Sequence, residues 1–235
     1  MDYQFEAEIE RIQYYVLPSK RVASSTFSLI QDDVFDFWVT EWTRNFSKGG
    51  NPKSGWEDHF IRQDIITALT LDQEIIGCHL YSFYNLDSHS TLASEYFNYI
   101  SSESLKKLRQ KRYSDCMSME YLCVAPKVQR NDFKISFGNL ILALGTYIAE
   151  DEGADCVLGM PILGFGNKVD KMLENVGGED IQTGIKKYGY ELKLMAAQTN
   201  PRVNSKNLTI KKFADHLWHN RHTFCHESVQ TKIAV

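Results

Sequence analysis

A strand–loop–helix–strand pattern near the middle of the chain constrains the fold more than any other feature. Residues 117–124 form a short apolar run before Pro126, which is typical of a buried strand. Residues 137–150 carry apolar side chains at helical spacing, and Gly153 follows where such a helix would end. Residues 155–160 form a second apolar run. This order predicts a βαβ crossover that joins two parallel strands.

The loop inside this unit, residues 126–136, is polar and carries Lys127, Arg130 and Lys134 with a single acid, Asp132. A helix N-terminus presents backbone N–H groups and favours negative charge, so a phosphate or pyrophosphate suits this position. The alternative is that the three cations only belong to a solvated loop.

The composition limits the classes of protein to which this chain can belong. The chain has 235 residues, of which 43% are hydrophobic, and its net charge is −4. We therefore predict one domain over residues 1–235, with a core at about 20–196 and a helical tail at 200–235. The charge does not indicate a nucleic-acid partner. The absence of a long apolar run or signal pattern predicts a cytoplasmic protein without a membrane span.

The five cysteines show no CxxC pair, which argues against a disulfide framework or a CxxC metal site. Cys123 lies in a predicted strand and is most simply a buried core residue, although a nucleophilic role is the alternative.

The remaining pattern predicts a mixed α/β sheet with helices on both faces. Strands are predicted at residues 21–29, 64–71, 74–84 and 188–196, the middle two as a hairpin with a turn at Asp72-Gln73 and a bulge at Gly77. Helices are predicted at residues 31–45, 168–176 and 208–226, and over most of 90–112. Residues 6–17 are predicted as a short helix or an irregular lead-in, and residues 46–58 as a loop.

The order of these motifs resembles the GNAT superfamily of N-acetyltransferases. The hairpin with EIIGCHLYSF, the strand MEYLCVAP, the basic loop, the helix and the next strand occur in the family's order. The segment NKVDKMLENVGG, with Asn167, Val169, Leu173, Gly177 and Gly178, resembles the family pattern that follows the second strand. The resemblance covers roughly residues 60–196 and implies a GNAT-like fold.

The resemblance also implies a donor site for acetyl-CoA or another acyl-CoA. The two parallel strands would splay to leave a cleft for the thioester, and the first strand would offer backbone groups at Leu122, Cys123 and Val124 to the pantetheine arm. The loop and the start of the helix would hold the pyrophosphate. The residues implied are Gln129, Arg130, Asn131, Asp132, Phe133, Lys134, Ser136, Phe137, Gly138 and Asn139.

Two positions depart from the family pattern. The family loop carries glycines that let the backbone approach phosphate, whereas this loop has only Gly138, several residues late. Many family members use a tyrosine as general acid for the leaving thiolate, and Leu173 stands at that position.

For catalysis, the resemblance points to Glu120 as the general base and to Asn167 as an assisting residue near the cleft. Attack of an amine on a thioester needs a group that removes the ammonium proton. The alternative is that Glu120 is an outward-facing strand residue without a role.

A helical insert at residues 85–112 resembles the longer connections of acyl-homoserine-lactone synthases and N-acyl amino acid synthases. Those relatives take acyl chains that are often carried by acyl carrier protein. An acyl carrier protein phosphopantetheine is therefore an alternative donor, and the carrier protein a possible partner.

Two further groups of residues could form a site. His219, His222 and His226 would share one face of the C-terminal helix, which suggests either a zinc site or a solvated helix end. Trp38, Trp42 and Trp56 could line an acyl pocket, although helical spacing favours Trp38 and Trp42 as core residues.

The sequence thus predicts an N-acyltransferase that moves an acyl group from a thioester to a small-molecule amine. The alternative is a non-catalytic domain of the same fold that binds a ligand or a partner. The missing loop glycines and the missing tyrosine favour the alternative, whereas the intact strand, helix and Asn167 pattern favours the enzyme.

Overall fold

The computed structural model describes residues 9–19, 25–48, 56–128, 135–164, 168–187, 189–199 and 207–223. Within these ranges the chain forms eight β-strands: β1 (Ile12–Pro18), β2 (Ile65–Leu71), β3 (Glu74–Asn85), β4 (Asp115–Val124), β5 (Cys156–Gly159), β6 (Glu179–Lys187), β7 (Tyr190–Gln198) and β8 (His222–Thr223). The α-helices of the same ranges are α1 (Ser25–Lys48), α2 (Asp58–Arg62), α3 (His89–Leu92), α4 (Ser102–Gln110), α5 (Phe137–Asp151), α6 (Val169–Asn175) and α7 (Leu208–His219). Single 3₁₀ turns lie at Glu95–Tyr99 and Pro126–Val128.

The strands form one mixed sheet in the order β6-β7-β5-β4-β3-β2-β1-β8. Strands β4 and β5 are parallel and are joined through α5, so the predicted βαβ crossover is confirmed. Strand β8 also runs parallel to its neighbour β1, and the other neighbouring strands are antiparallel.

The predicted hairpin and its bulge are also confirmed. Leu69 pairs with Gly77, but the next residue, Thr70, pairs with Ile75, so β3 carries one extra residue. A Cβ atom on Gly77 would lie 2.5 Å from Ile141 Cδ1 of α5. Glycine therefore allows the close packing of α5 on the sheet at this point.

Helices cover both faces of the sheet, as predicted. On one face, α5 and α7 pack together over β1, with Leu144, Phe213 and Tyr14 in one buried cluster. On the other face, Trp38 of α1 packs over Ile66 in a second cluster. The insert between β3 and β4 adds α3, α4 and the turn at Glu95–Tyr99 to that second face.

Two predictions for the N-terminal part of the chain are wrong. Residues 12–17, predicted as a helix or an irregular lead-in, form most of β1, because this β-rich run pairs along the free edge of β2. Residues 25–29 of the predicted strand 21–29 belong to α1, and the side chain of Leu29 is exposed. A run as short as this one does not separate a strand from a helix by its pattern.

The C-terminal helix is shorter than predicted. It ends at His219, where the Asn220 side chain binds the His216 carbonyl oxygen, and the chain then turns so that His222 pairs with Tyr15 of β1. Strand β6, which pairs with β7 at the sheet edge, is not among the predicted strands. No helix in the described ranges is long and apolar enough to cross a membrane.

Candidate active site

The candidate site lies where the two parallel strands separate. Strands β4 and β5 pair only from Cys116 with Cys156 to Met119 with Gly159. After Gly159 the chain follows β7 instead, with a bridge between Ile162 and Leu192. Beyond Met119, β4 therefore continues without β5 beside it, and a cleft opens in the sheet.

A bulge shapes β4 at the mouth of this cleft. Glu120 pairs with Leu80, and Cys123 pairs with Cys78. Between these two pairs β4 advances by three residues while β3 advances by two, so β4 carries one extra residue. Tyr121 occupies the left-handed region with a φ of 56°, which is uncommon for a residue with a side chain. The bulge places Tyr121 on the α1 face, where its carbonyl oxygen accepts a hydrogen bond of 3.2 Å from Trp42 Nε1.

The cleft has a cavity volume of about 140 Å³ and is lined by residues from both faces of the sheet. Its apolar half, on the α5 face, is lined by His79, Met119, Leu122, Leu142, Val169 and Leu173. Its other half, on the α1 face, contains the charged groups and most of the aromatic rings: Trp42, Phe46, Tyr96, Glu120, Tyr121 and Lys187. The residues that line the cleft thus come from both faces of the sheet.

Glu120 lines the cleft and is partly buried rather than fully solvated. Its carboxylate accepts a hydrogen bond of 2.7 Å from the Ser118 hydroxyl. Burial raises the pKa of Glu120 above its usual value, and the Ser118 hydrogen bond and the positive charge of Lys187 oppose this rise. The geometry allows the predicted role as a base, because the carboxylate lies at the cleft and has a raised pKa.

His79, which the sequence analysis did not single out, lines the apolar half of the cleft. Its side chain is buried, and its Nδ1 lies 2.9 Å from the Tyr81 hydroxyl. Burial lowers the pKa of His79 to about 3, so the imidazole is neutral at physiological pH. No motif in the sequence marks this residue, because it stands within an ordinary strand pattern.

The structure places the three predicted pantetheine-binding residues at and beyond the bulge. Leu122 lines the cleft, whereas Val124 lies further along, opposite Gly77. Cys123 is buried in the core, and burial raises the pKa of its thiol well above the usual value. A buried thiol with a raised pKa is a poor nucleophile, so the structure favours the core interpretation of Cys123.

At the start of α5, the structure describes four of the predicted pyrophosphate-binding residues. Ser136 caps the helix, and its Oγ accepts a hydrogen bond from the Asn139 backbone N–H. Phe137 is buried in the core, and a Cβ on Gly138 would lie 3.0 Å from the Met172 sulfur atom. Phe137 therefore packs in the hydrophobic core, and the absence of a side chain at Gly138 lets α6 approach α5 closely.

The other predicted loop residues lie outside the described ranges: Gln129, Arg130, Asn131, Asp132, Phe133 and Lys134. Asn167 also lies outside them. Of the three loop cations, Lys127 is described, and its ammonium group forms an exposed ion pair with Glu74.

The structure also describes Leu173 and the three tryptophans that the sequence singles out. Leu173 is buried at the cleft, and a Cβ on Gly159 would lie 2.8 Å from its Cδ1, so an apolar side chain stands where the family pattern has a tyrosine. Trp38 is a core residue as predicted, and Trp56 packs on it with ring centroids 4.6 Å apart. Trp42, predicted as core, instead lines the cleft.

The proposed shared helix face for three histidines is wrong. His219 ends α7, but His222 lies in β8 and stacks on the Tyr15 ring with a centroid distance of 4.7 Å. His226 lies outside the described residues. Over the described ranges, no group of three or more potential ligands is placed to hold a metal ion.

The fold is that of the GNAT acyltransferases. No protein-family model and no curated protein matches the sequence. Among solved structures, FeeM, an N-acyl amino acid synthase from uncultured soil microbes, is similar with a TM-score of 0.54 at 10% identity, over 86% of this chain and 98% of FeeM.

Two further solved structures show the same arrangement. The polyamine N-acetyltransferase of Drosophila melanogaster, which forms N-acetylagmatine, has a TM-score of 0.56 at 10% identity and covers 80% of this chain and 99% of its own. The CoA-dependent acyl-homoserine lactone synthase BjaI has a TM-score of 0.53 at 11% identity, over 92% of this chain and 95% of its own. These similarities confirm the predicted fold class.

Proposed function

We propose that this chain is an N-acyltransferase that moves an acyl group from a coenzyme A thioester to a primary amine. The observation that carries the proposal is the cleft beside β4, which is lined by Glu120 and by residues from both faces of the sheet. The structural neighbours, which are acyl- and acetyltransferases of the same fold, support the same class of reaction.

The donor would enter along the edge of β4 that β5 leaves uncovered beyond Met119. An extended pantetheine arm has amide groups that hydrogen-bond to such an edge as an added strand does. The N-terminus of α5 follows the loop after β4 and favours a pyrophosphate through its backbone N–H groups and its dipole. Arg130 and Lys134 add positive charge to that loop.

The acceptor would enter from the α1 face, where Glu120 takes a proton from its ammonium group. The neutral amine then attacks the thioester carbonyl carbon, the C–N bond forms and the C–S bond breaks. The nitrogen then releases its second proton to solvent and the thiolate takes up a proton, so the products are an amide and free coenzyme A. Leu173 and neutral His79 are poor proton donors, so we propose that solvent supplies the thiol proton.

Thermal unfolding with candidate donors tests the donor site. A ligand that binds only the folded state raises the unfolding midpoint in proportion to its saturation. We expect acetyl-CoA and coenzyme A to raise the midpoint, and inorganic pyrophosphate, as the control, to raise it less. A rise with only a long-chain acyl-CoA would indicate an acyl tunnel. No rise with any coenzyme A compound would contradict the proposed donor and leave a carrier-protein donor or a non-catalytic domain.

A further inference from the structure

The insert between β3 and β4 contributes one side chain to the cleft. Tyr96, in the 3₁₀ turn at Glu95–Tyr99, lines the same half of the cleft as Glu120. Its ring stacks on Tyr84 with a centroid distance of 5.3 Å and an interplanar angle of 24°. Phe97 packs edge-on against the same ring. The position of the Tyr96 ring is therefore fixed before any ligand binds.

The Tyr96 hydroxyl is buried and lacks a hydrogen-bond partner among the described residues. The residue is only 6% exposed, so bulk water does not replace that partner. Most buried polar groups in proteins have a partner, so this hydroxyl is available to a group that enters the cleft. Burial, and next the carboxylate of Glu120, raise the pKa of Tyr96 well above its usual value, so the hydroxyl stays neutral beside Glu120.

The charges around this half of the cleft define what a ligand there must carry. Lys187 Nζ lies 4.0 Å from Glu95 Oε1 and 4.9 Å from the centre of the Tyr99 ring. Burial lowers the pKa of His59, which lies close enough to feel the charges of Glu95 and Lys187, so His59 is neutral at physiological pH. The charges of Glu95, Glu120 and Lys187 together leave one negative charge, which one positive charge on the ligand neutralises.

The walls of this half are aromatic. Trp42, Phe46 and Tyr121 line it, and Tyr121 packs edge-on against Trp42 with ring centroids 5.3 Å apart. Aromatic faces favour apolar groups and single cations. Among the described residues of this half, a second cation on the ligand would find no further unbalanced carboxylate, and an added carboxylate would lie near Glu120.

We propose that Tyr96 and Glu120 together bind the nitrogen of the acceptor, and that the acceptor is a primary amine with one positive charge and an apolar body. This inference rests on the proposed function, since it assigns that reaction's second substrate. The Tyr96 oxygen accepts one N–H of the ammonium group while Glu120 accepts another, which aims the nitrogen at the separation point of β4 and β5.

Calorimetric titration with 2-phenylethylamine tests this assignment without a donor. We expect the wild-type protein to bind it, and Tyr96→Phe to bind it about tenfold more weakly, the effect of one hydrogen bond to a charged group. Thermal stability of Tyr96→Phe should equal or exceed that of the wild type, because the lost hydroxyl had no partner in the described structure. Tyr113→Phe is the matched control: Tyr113 belongs to the same buried cluster but is not among the described residues that line the cleft.

Three results would overturn the assignment: unchanged affinity of Tyr96→Phe, no binding of 2-phenylethylamine to the wild type, or equally tight binding of phenylalanine or agmatine. Other results would overturn the amine site or the proposed reaction independently of each other. Amine binding that depends on Tyr96, without amide formation from any coenzyme A thioester, would remove the reaction and leave the amine site. Amide formation with an unchanged acceptor KM in Tyr96→Phe would remove the amine site and leave the reaction.

Discussion

At the scale of single residues, Glu120 combines a position at the cleft with a raised pKa. A base acts in its ionised form, so we expect kcat/KM to rise with pH through the raised pKa of Glu120. Glu120→Gln should lower kcat about 100-fold or more, the usual effect of losing a positioned base, and should abolish this limb of the pH profile. Steady-state kinetics across pH measure both effects.

Glu103→Gln is the control for this prediction, because Glu103 is an exposed acid of α4.

The raised pKa of Glu120 also has a consequence for the stability of the fold. The folded protein favours the protonated carboxyl, so stability falls as the pH rises from the usual carboxyl pKa through the raised one. Glu120→Gln should therefore be at least as stable as the wild type at pH 8. Activity within threefold of the wild type would contradict the role of Glu120.

A second prediction at this scale concerns Tyr121, because its own backbone lies in the left-handed region within the bulge of β4. Replacing it with glycine or alanine removes the same packing against Trp38 and Trp42, but only glycine tolerates a φ of 56° without cost. We expect Tyr121→Gly to be more stable than Tyr121→Ala by about 1 kcal/mol. Chemical denaturation of the two variants measures this difference, and the opposite order would show that the bulge is absent.

At the scale of secondary-structure elements, the packing of α5 on the sheet depends on Gly77. Gly77→Ala would bring a Cβ to 2.5 Å from Ile141 Cδ1 and to 3.0 Å from the Cys123 carbonyl oxygen. We expect a loss of about 1 to 3 kcal/mol in the free energy of unfolding.

Ile141→Val provides the matched test, because valine lacks the Cδ1 atom that Gly77→Ala would contact. The double variant should recover part of the stability that Gly77→Ala loses, so the two effects should not add. Full additivity in denaturant unfolding would show that α5 does not approach β3 as described.

The sequence predicted correctly those elements that are determined by residues close together in the chain. The hairpin turn at Asp72-Gln73 and the helix over residues 137–150 lie where their residue types indicate. The predictions failed where pairing with a distant segment decides the structure. Strand β1 pairs with β2 some fifty residues later, as with Pro18 and Ile65, and β8 leaves the helical pattern to pair with β1.

The candidate site shows the same division. The family resemblance led to Glu120 and to the separation of the two strands, because both belong to one continuous motif. Tyr96 and Lys187 reach the cleft from the insert and from β6, far from that motif in sequence. Their types and spacing carry no signal, since only the folded sheet brings them beside Glu120.

At the scale of the whole molecule, α7 belongs to the same hydrophobic core as α5. Phe213 is buried against the cluster that contains Leu144 and Tyr14, whereas Leu208 of the same helix is 74% exposed. We expect Phe213→Ala to lower the free energy of unfolding by about 3 to 5 kcal/mol. Leu208→Ala should change it by less than about 0.5 kcal/mol.

Both variants should unfold in a single transition if the tail and the sheet form one cooperative unit, as the prediction of one domain requires. Circular dichroism and tryptophan fluorescence during denaturation would measure this. A separate early transition, or a small effect of Phe213→Ala, would instead show that α7 unfolds independently of the sheet.

If the cleft beside Glu120 transfers an acyl group to an amine, one incubation should reveal it. The protein is mixed with acetyl-CoA and a mixture of 2-phenylethylamine, agmatine and phenylalanine, and amide and free thiol are quantified by mass spectrometry. We expect amide and thiol in equal amounts, with most of the amide on 2-phenylethylamine and almost none in Glu120→Gln. Thiol release without amide, or neither product, would contradict it.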